Sequence, residues 1–524
     1  MVRAPRHVVI HPLLFAAFPV LYLWAHNVQE GVSFGDVIWP LVLTLGLTTI
    51  LFAVGWLALH RDVARAGLAL SVLVLLFFSY GYVYRALEGV RIGGFRDEPE
   101  TGFLIGRNTY LLPLWAGLAV IGVVLSIRAR TRLSGWTQVM NYAAAGLVLI
   151  NLATVGWTEA RGATLSGPAS QGPRPERTLP PGATRPDIYY IVLEEYAGDR
   201  SLQKFFGYDN SPFLDFLRRK GFYVARASTA NYPRTSVSLA SSLNMGYLTD
   251  DPGRVAGEAG TRPLLQNHAV GSYLKALGYR YLHLGSWWEP TKTNPNADVN
   301  IQFGSISEFS TVLYQTTAIY PIAQHFGIFS EKLDFRLREY RREKFQFAKL
   351  VRTKKAAGPK LVFAHIIAPH SPYVFDANGG LLPKEAVRRD TLKKVYVDQL
   401  SFVNKQVMAL VERLLSGPHT SHPVILIQSD EGPYPGNPSR WSSRPKQTTL
   451  LRKFEILNAF YLSGASYEGL TPQITPVNEF RVVFRQYFDP TLTLLPDKNF
   501  VFKDVKHLYE FTDVTDQVRQ SLHA

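Results

Sequence analysis

Carboxylates, an imidazole and a hydroxyl stand in this sequence where α/β proteins place their chemistry, just past a strand or in the first turn of a helix. Glu194 and Glu195 follow the apolar run Ile188–Leu193, His370 follows Leu361–Ile367 by a short turn, and Asp430-Glu431-Gly432 follows Val424–Gln428. Thr235 and Ser236 come after Tyr232-Pro233 at the head of a predicted helix, where unpaired backbone N–H groups and the positive dipole end suit an anion. Such a set meets the needs of metal-assisted attack on a phosphate or sulfate ester. Carboxylates fix a divalent cation, which lowers the pKa of the attacking hydroxyl and offsets charge on the transferred group. Oxygen ligands favour Mn²⁺ or Mg²⁺, and an added His admits Zn²⁺. Taken singly, each residue also has an ordinary reading: a carboxylate after a strand often caps a helix, and a Thr after Pro is more often an N-cap. His365, inside an apolar strand, reads as a hydrogen-bonded core histidine, and Glu195 fits a solvated surface as well as it fits a metal.

The elements that must carry these residues alternate. Ile188–Leu193, Leu361–Ile367 and Val424–Gln428 are continuous apolar runs of buried-strand length, and Phe222–Val224, Tyr279–Leu284 and Ile456–Leu462 read as further strands. Between them, helices are predicted at Ser211–Lys220, 236–245, 265–277, about 332–352, about 386–415 and 477–488. Alternation of this kind predicts one large α/β domain on a mostly parallel sheet. Ligands bind at the carboxyl ends of the strands in such sheets, where Glu194, His370 and Asp430 fall.

Ahead of this domain the composition changes. The whole chain of 524 residues is 47% hydrophobic and 19% charged, but residues 1–157 hold few acids. They carry five apolar stretches, at about 8–26, 37–59, 66–84, 110–127 and 138–157, against the roughly 20 residues a helix needs to cross a bilayer. Arg3 and Arg6 precede the first stretch, Arg61 and Arg65 lie in the second loop, and Arg128, Arg130 and Arg132 lie in the fourth. The first loop has Glu30 and Asp36 with no Lys or Arg, whereas the third mixes four arginines with Asp97, Glu98 and Glu100. The positive-inside rule then places the N-terminus in the cytoplasm and everything after the fifth span outside, in a multi-pass plasma (inner) membrane protein. The near absence of charge within the spans argues for an anchor rather than an ion path. Residues 158–185, rich in Gly, Pro, Thr and Arg, read as a semi-flexible linker, leaving 186–524 for the α/β domain.

A net charge of +15 without any nucleic-acid module excludes nucleic acid and points to acidic lipid headgroups or anionic substrates. Cys is absent, which excludes disulfides, thiolate nucleophiles and Cys metal ligands.

Several strings carry a family resemblance. Pro186-Asp187-Ile188-Tyr189-Tyr190-Ile191-Val192-Leu193-Glu194 resembles the opening strand of sulfatase-like and alkaline-phosphatase-like proteins, and Asn231-Tyr232-Pro233-Arg234-Thr235-Ser236, continuing to Asn244-Met245, resembles their nucleophile turn and helix. Ala368-Pro369-His370-Ser371-Pro372-Tyr373 is similar to a substrate-side histidine segment, and Gln428-Ser429-Asp430-Glu431-Gly432-Pro433 to the late Asp-His-Gly metal motif. Ile456-Leu457-Asn458-Ala459 and Thr475-Pro476-Val477-Asn478 are similar to a membrane-bound bacterial branch. With five spans ahead of the domain, the chain resembles lipoteichoic acid synthases and lipid A phosphoethanolamine transferases. The resemblance implies one principal divalent metal (Mn²⁺, Mg²⁺ or Zn²⁺), with Glu194 as first ligand, Thr235 as nucleophile and ligand, Asp430 as third ligand and Glu431 completing the set. It implies that His370 contacts the transferred group, with Arg234 as a second substrate-binding candidate. The implied activity is phosphoryl-type transfer on a lipid-linked or cell-envelope anionic substrate. Two alternatives stand beside it, a sulfate-ester hydrolase and a catalytically degenerate binding or assembly protein on the same fold. The pattern departs at Glu431, where the family usually has His, and the added negative charge weakens attraction for an anion. A formylglycine sulfatase is disfavoured, since Asn231-Tyr232-Pro233-Arg234-Thr235 lacks a Cys or Ser two residues before Pro.

Overall fold

Apolar runs too long for a soluble core satisfy their backbone only as helices, and five helices form over the predicted spans: α1 (His11–Asn27), α2 (Phe34–Ala58), α3 (Val63–Leu87), α4 (Asn108–Arg128) and α5 (Leu133–Leu165). The computed structural model describes residues 8–30, 32–88, 90–92, 103–104, 106–129, 133–165, 185–248, 257–328, 333–416, 423–433, 440–442 and 444–523. Four of the five, α2 to α5, are long and apolar enough to cross a membrane. The remaining helix, α1, has 17 residues and is buried along most of its length among the others. Caps fix the starts of two spans. Ser33 and Asp36 form a reciprocal capping box on α2, and the Asp62 side chain accepts from Arg65 N on α3 at 3.0 Å. Of the predicted linker, the first residues continue α5 to Leu165, and 166–184 lie outside the described residues.

The chain divides into two compact units, and the division is not the simple one of N-terminal spans followed by one domain. Unit 1 holds Met1–Arg161 together with Ile306–Asp334, and unit 2 holds Gly162–Ser305 and Phe335–Ala524. The inserted segment forms two helices, Glu308–Gln315 and Ile319–His325. It buries Phe309 and Leu313 among α1 side chains such as Val20 and Trp24. Phe77 O accepts from Ala318 N and Gly81 N donates to Thr316 O, both at 2.8 Å. Phe77 and Gly81 are the pair that a helix ordinarily joins to each other, so the segment docks directly on the α3 backbone. Only glycine permits this approach at 81, because a Cβ there would lie 2.5 Å from Gln315 O.

Unit 2 is the α/β domain. Its sheet has seven strands: β1 (Ile188–Leu193), β2 (Tyr223–Val224), β3 (Arg280–Leu284), β4 (Val299–Ile301), β5 (Lys360–Ile366), β6 (Val424–Gln428) and β7 (Asn458–Leu462), in the order β2-β7-β6-β1-β5-β3-β4. The pairings β1/β5, β1/β6, β3/β5 and β3/β4 are parallel, and β7 runs antiparallel to both β6 and β2. Strand β1 is central and buried on both faces, as its unbroken apolar sequence requires. One face carries Tyr189, Ile191 and Leu193 against Phe347, Leu400 and Val403. The other carries Ile188, Tyr190 and Val192 against Leu239, Leu243 and Phe480.

Two predicted helices are broken. The stretch 265–277 becomes Arg262–Gln266 and Ala269–Ala276, because the His268 ring accepts from Gly271 N and starts a new helix. The stretch 386–415 becomes Lys384–Arg389 and Leu392–Leu415, with Thr391 as the cap between them. The strand predicted from Ile456 begins at Asn458.

Candidate active site

Strand register assembles the site. Val192 pairs with His365 on one side and Gln428 on the other. Side chains alternate between faces, so His365 and Glu194 share the face of Val192. Carried two residues beyond the Val192–Gln428 pair, the same register sets Glu194 level with Asp430. The helix α6 (Thr235–Asn244) packs Leu239, Ala240 and Leu243 on this face, and Ser238 Oγ donates to Asp430 O at 2.8 Å. Its first residue thereby reaches the strand ends, where Thr235 Oγ1 donates to Glu194 Oε1 at 2.7 Å.

Glu194, Asp430 and Glu431 are all buried, and one carboxylate oxygen from each lies within 4.8 Å of the others. Asp430 Oδ2 and Glu431 Oε2 accept no hydrogen bond among the described residues. Buried carboxylates left in this state are costly unless a cation compensates them. The donor set is hard and oxygen-rich, so the residues present fit a divalent ion. Electrostatics agree. Burial raises Glu194 to about 7, with the nearby Glu431 adding to the rise and His370 opposing it. Burial and then Glu194 raise Asp430 to about 8. Burial likewise raises Glu431 to about 8, although Lys453 pulls it down.

Glu194 is held from both sides. Its Oε2 lies 2.5 Å from His365 Nε2, and His365 Nδ1 lies 2.9 Å from Thr291 Oγ1. Burial lowers His365 to about 4, so the ring is neutral near pH 7. With Nε2–H directed at Glu194, Nδ1 accepts from the Thr291 hydroxyl. Such an arrangement fixes a carboxylate's orientation.

Glu431 is held by an unforeseen partner. Lys453, fully buried, places Nζ 2.8 Å from Glu431 Oε1 and 3.5 Å from Glu195 Oε1. Close backbone contact makes this possible: Gly432 N donates to Lys453 O at 2.8 Å, and a Cβ at Gly432 would lie 2.2 Å from Arg452 O. The glycine of Asp430-Glu431-Gly432 is therefore a packing requirement. Glu195 is buried too, which overturns a solvated role. Its backbone takes the left-handed region at φ 55°, and its N–H donates to Asp430 Oδ1 at 3.2 Å.

The other two candidates are placed differently. His370 N donates to Glu194 O at 3.2 Å, and its half-buried ring contacts Ser371 O. Arg234 caps α6, but its guanidinium forms an ion pair with Glu258. The structure thus places Glu194, Thr235, Asp430 and Glu431 side by side, and adds two residues the sequence did not single out for this site, Lys453 beside Glu431 and His365 beside Glu194. The available signals were weak: a lysine beside Arg452, between Leu451 and Phe454 in a short helix, and a histidine next to the site end of a buried strand.

Over residues 186–482 the sequence matches the profile of the sulfatase family. No curated protein sequence matches the chain. Among solved structures it is similar to the C-terminal periplasmic domain of EcEptC from Escherichia coli, at 12% identity and TM-score 0.43, covering 64% of this chain and 94% of that one. It is also similar to the integral membrane lipooligosaccharide phosphoethanolamine transferase A of Neisseria meningitidis, at 13% identity and TM-score 0.39, covering 90% and 94%. A protein in the alkaline phosphatase superfamily from Vibrio parahaemolyticus is similar at 12% identity and TM-score 0.38, covering 66% and 81%. The profile match spans more than half of the sequence and takes in every residue from Glu194 to Lys453 described above, and on that ground the chain belongs to the sulfatase family.

Proposed function

We propose that this chain is a membrane-anchored, metal-dependent transferase or hydrolase that moves a phosphoryl-type group from a lipid-linked or cell-envelope anionic substrate through Thr235. The observation that carries the reading is the 2.7 Å hydrogen bond from Thr235 Oγ1 to Glu194 Oε1 at the head of α6, beside the orphaned oxygens of Asp430 and Glu431. Glu194, Asp430, Glu431 and Thr235 would hold a divalent cation, which supplies Lewis-acid stabilisation of charge on the reacting oxygens. Thr235 Oγ attacks phosphorus, the bond to the leaving oxygen breaks, and the hydroxyl proton departs toward Glu194. His370, above the same strand ends, contacts the transferred group. An acceptor hydroxyl or water then attacks the phospho-Thr235 and regenerates the side chain. The arginines at 61, 65, 128, 130 and 132 support a cytoplasmic N-terminus and an extracytoplasmic unit 2.

Metal analysis of the full-length protein, with turnover on phosphodiester, phosphomonoester and sulfate esters by wild type and Thr235→Ala, tests the proposal. Bound divalent metal and Thr235-dependent phosphodiester cleavage are expected. Sulfate-ester turnover alone would replace phosphoryl by sulfuryl chemistry. Protein that retains no metal and cleaves none of the esters would be a binding module, and the enzymatic reading would end there.

A further inference from the structure

Unit 1 contains a cleft of about 960 Å³ walled by α2, α3, the end of α4 and the inserted helix Glu308–Gln315. This is at the upper end of the roughly 300–1,000 Å³ range typical of small-molecule sites. It runs along α2 from Trp39 to Leu59, the residue that ends the helix, which at 1.5 Å per residue is about 30 Å, the thickness of a bilayer's hydrocarbon layer. Leu47 and Leu51 of α2 and Leu73 of α3 line its length. Its two ends differ. Near Leu59, Ala66 and Ile127 the walls are aliphatic, whereas near Trp39 and Phe77 the hydroxyl residues Ser310, Tyr314 and Thr317 close it.

We propose that this cleft binds an acyl chain of a bilayer phospholipid, with the glycerol end of the lipid at the hydroxyl residues of the inserted segment. Helix α2 is only 11% buried over its most apolar window, so the cleft opens sideways between spans whose surroundings are hydrocarbon. An apolar slot of this length holds water poorly and offers no partners to a soluble polar ligand. A chain of methylene groups matches it in length and in its mostly apolar lining, where the Thr48 hydroxyl is turned back onto Thr44 O at 2.7 Å, and the ester and glycerol oxygens of the same lipid need donors at one end only. Tyr314 of the inserted segment supplies a donor there, since the Thr317 hydroxyl donates to Tyr314 O and that of Ser310 lies 3.0 Å from Ser307 Oγ, and the segment's two backbone bonds to Phe77 and Gly81 hold it at the mouth. The site is independent of the catalytic reading, because capture of the lipid requires no chemistry at Thr235.

The test uses the full-length chain reconstituted in phosphatidylethanolamine–phosphatidylglycerol vesicles containing a phospholipid with a diazirine midway along one acyl chain. After irradiation, labelled peptides are mapped. Labelling is expected to saturate and to concentrate at the α2 and α3 residues that line the cleft. Leu47→Trp, which fills the cleft, should reduce it at least tenfold. Ile50→Trp, on the same helix at a side chain 61% exposed and outside the cleft, should leave it unchanged. Labelling spread evenly over lipid-facing residues such as Ile121 and Leu125, or equal in the two variants, would overturn the site. Should Leu47→Trp fail to fold, the map on the unmodified chain decides. Specific labelling of a protein that cleaves no ester supports the lipid site while removing the catalytic proposal.

Discussion

Lys453 Nζ donates to Glu431 Oε1 at 2.8 Å, and neither side chain reaches solvent. Glu431 stands where the resemblance expects a neutral histidine, and Lys453 supplies the opposite charge beside it. The carboxylate binds the ammonium with one oxygen and keeps the other, Oε2, unpaired. In the pairing with Lys453 the added negative charge is compensated locally, so its effect on an approaching anion is smaller than the sequence alone suggests. The cost is rigidity, since a buried pair of this kind tolerates loss of neither member.

Removing the nucleophile should separate chemistry from binding. In Thr235→Ala the three carboxylates remain, so bound divalent metal is expected to stay near the wild-type level. Turnover should fall by at least ~10³-fold, as for other nucleophile deletions. Metal analysis and ester hydrolysis on the same preparation check both halves. Residual turnover within a few-fold of wild type would remove Thr235 from the mechanism.

Metal affinity should rise with pH between about 6 and 8. Burial raises Glu194 to about 7 and Asp430 and Glu431 to about 8, so each carboxyl holds a proton at pH 6 that a cation must displace. The metal-free protein should show the opposite trend. Its folded state binds more protons than the unfolded chain, with folded pKa values raised, so stability is fullest at low pH and is lost as pH rises through 7 to 8. Calorimetric titration with Mn²⁺ or Zn²⁺ at pH 6 and 8, and melting curves of metal-free protein at the same values, measure the two slopes. Metal affinity that is flat with pH would contradict the burial of these groups.

His365 should act as a positioning residue for Glu194. His365→Leu removes the 2.5 Å contact to Glu194 Oε2 from a fully buried ring, leaving the carboxylate free to rotate. Loss of such a supporting contact typically weakens metal binding by roughly 10–100-fold. A purely structural histidine would lower the melting temperature without changing the affinity of the protein that remains folded, and titration distinguishes the two.

How much could be read beforehand depended on whether the signal was local. Apolar runs specify spans and buried strands through their own residues, so α2 to α5 and the core strands β1, β5 and β6 were legible. Glu194, Thr235 and Asp430 were legible because each follows a strand or opens a helix. The contact of His365 with Glu194 requires knowing that β5 lies beside β1 in a register pairing Val192 with His365, which periodicity does not contain. Lys453 is similarly hidden, as its partner Glu431 is brought close by the Gly432 backbone. The segment 306–334 was missed for another reason. Its helices are short and amphipathic like those of the α/β domain, and nothing in their spacing announces that Phe309 and Leu313 pack against α1.

Topology gives a separate expectation. By the positive-inside rule the arginines flanking α2, α3, α4 and α5 predict that the second and fourth loops lie inside, so a reporter fused after residue 185 is expected to be active only outside the cytoplasm. Activity of a cytoplasm-only reporter at that point would reverse the orientation and remove an envelope substrate.

Restoring the family residue tests the Glu431–Lys453 pair most directly. In Glu431→His alone, a neutral imidazole faces a buried ammonium whose other acidic neighbour, Glu195 Oε1, is 3.5 Å away. Breaking a buried pair by removing one partner costs roughly 3–5 kcal/mol, so this variant should be markedly destabilised. Its zinc affinity should gain little, because the lysine then repels the cation with only the more distant Glu195 carboxylate left to screen it. In Glu431→His/Lys453→Met the buried ammonium is gone and the added nitrogen ligand suits zinc. The double variant should therefore be more stable than the single one, bind zinc more tightly relative to Mn²⁺ than wild type, and cleave phosphodiesters at least as well as Glu431→His. Melting temperatures across the four-member cycle give the coupling energy of the pair, and competition between zinc and manganese gives the selectivity. If the single variant is as stable as wild type and the cycle shows no coupling, Lys453 does not compensate Glu431, and the site carries its extra negative charge unscreened.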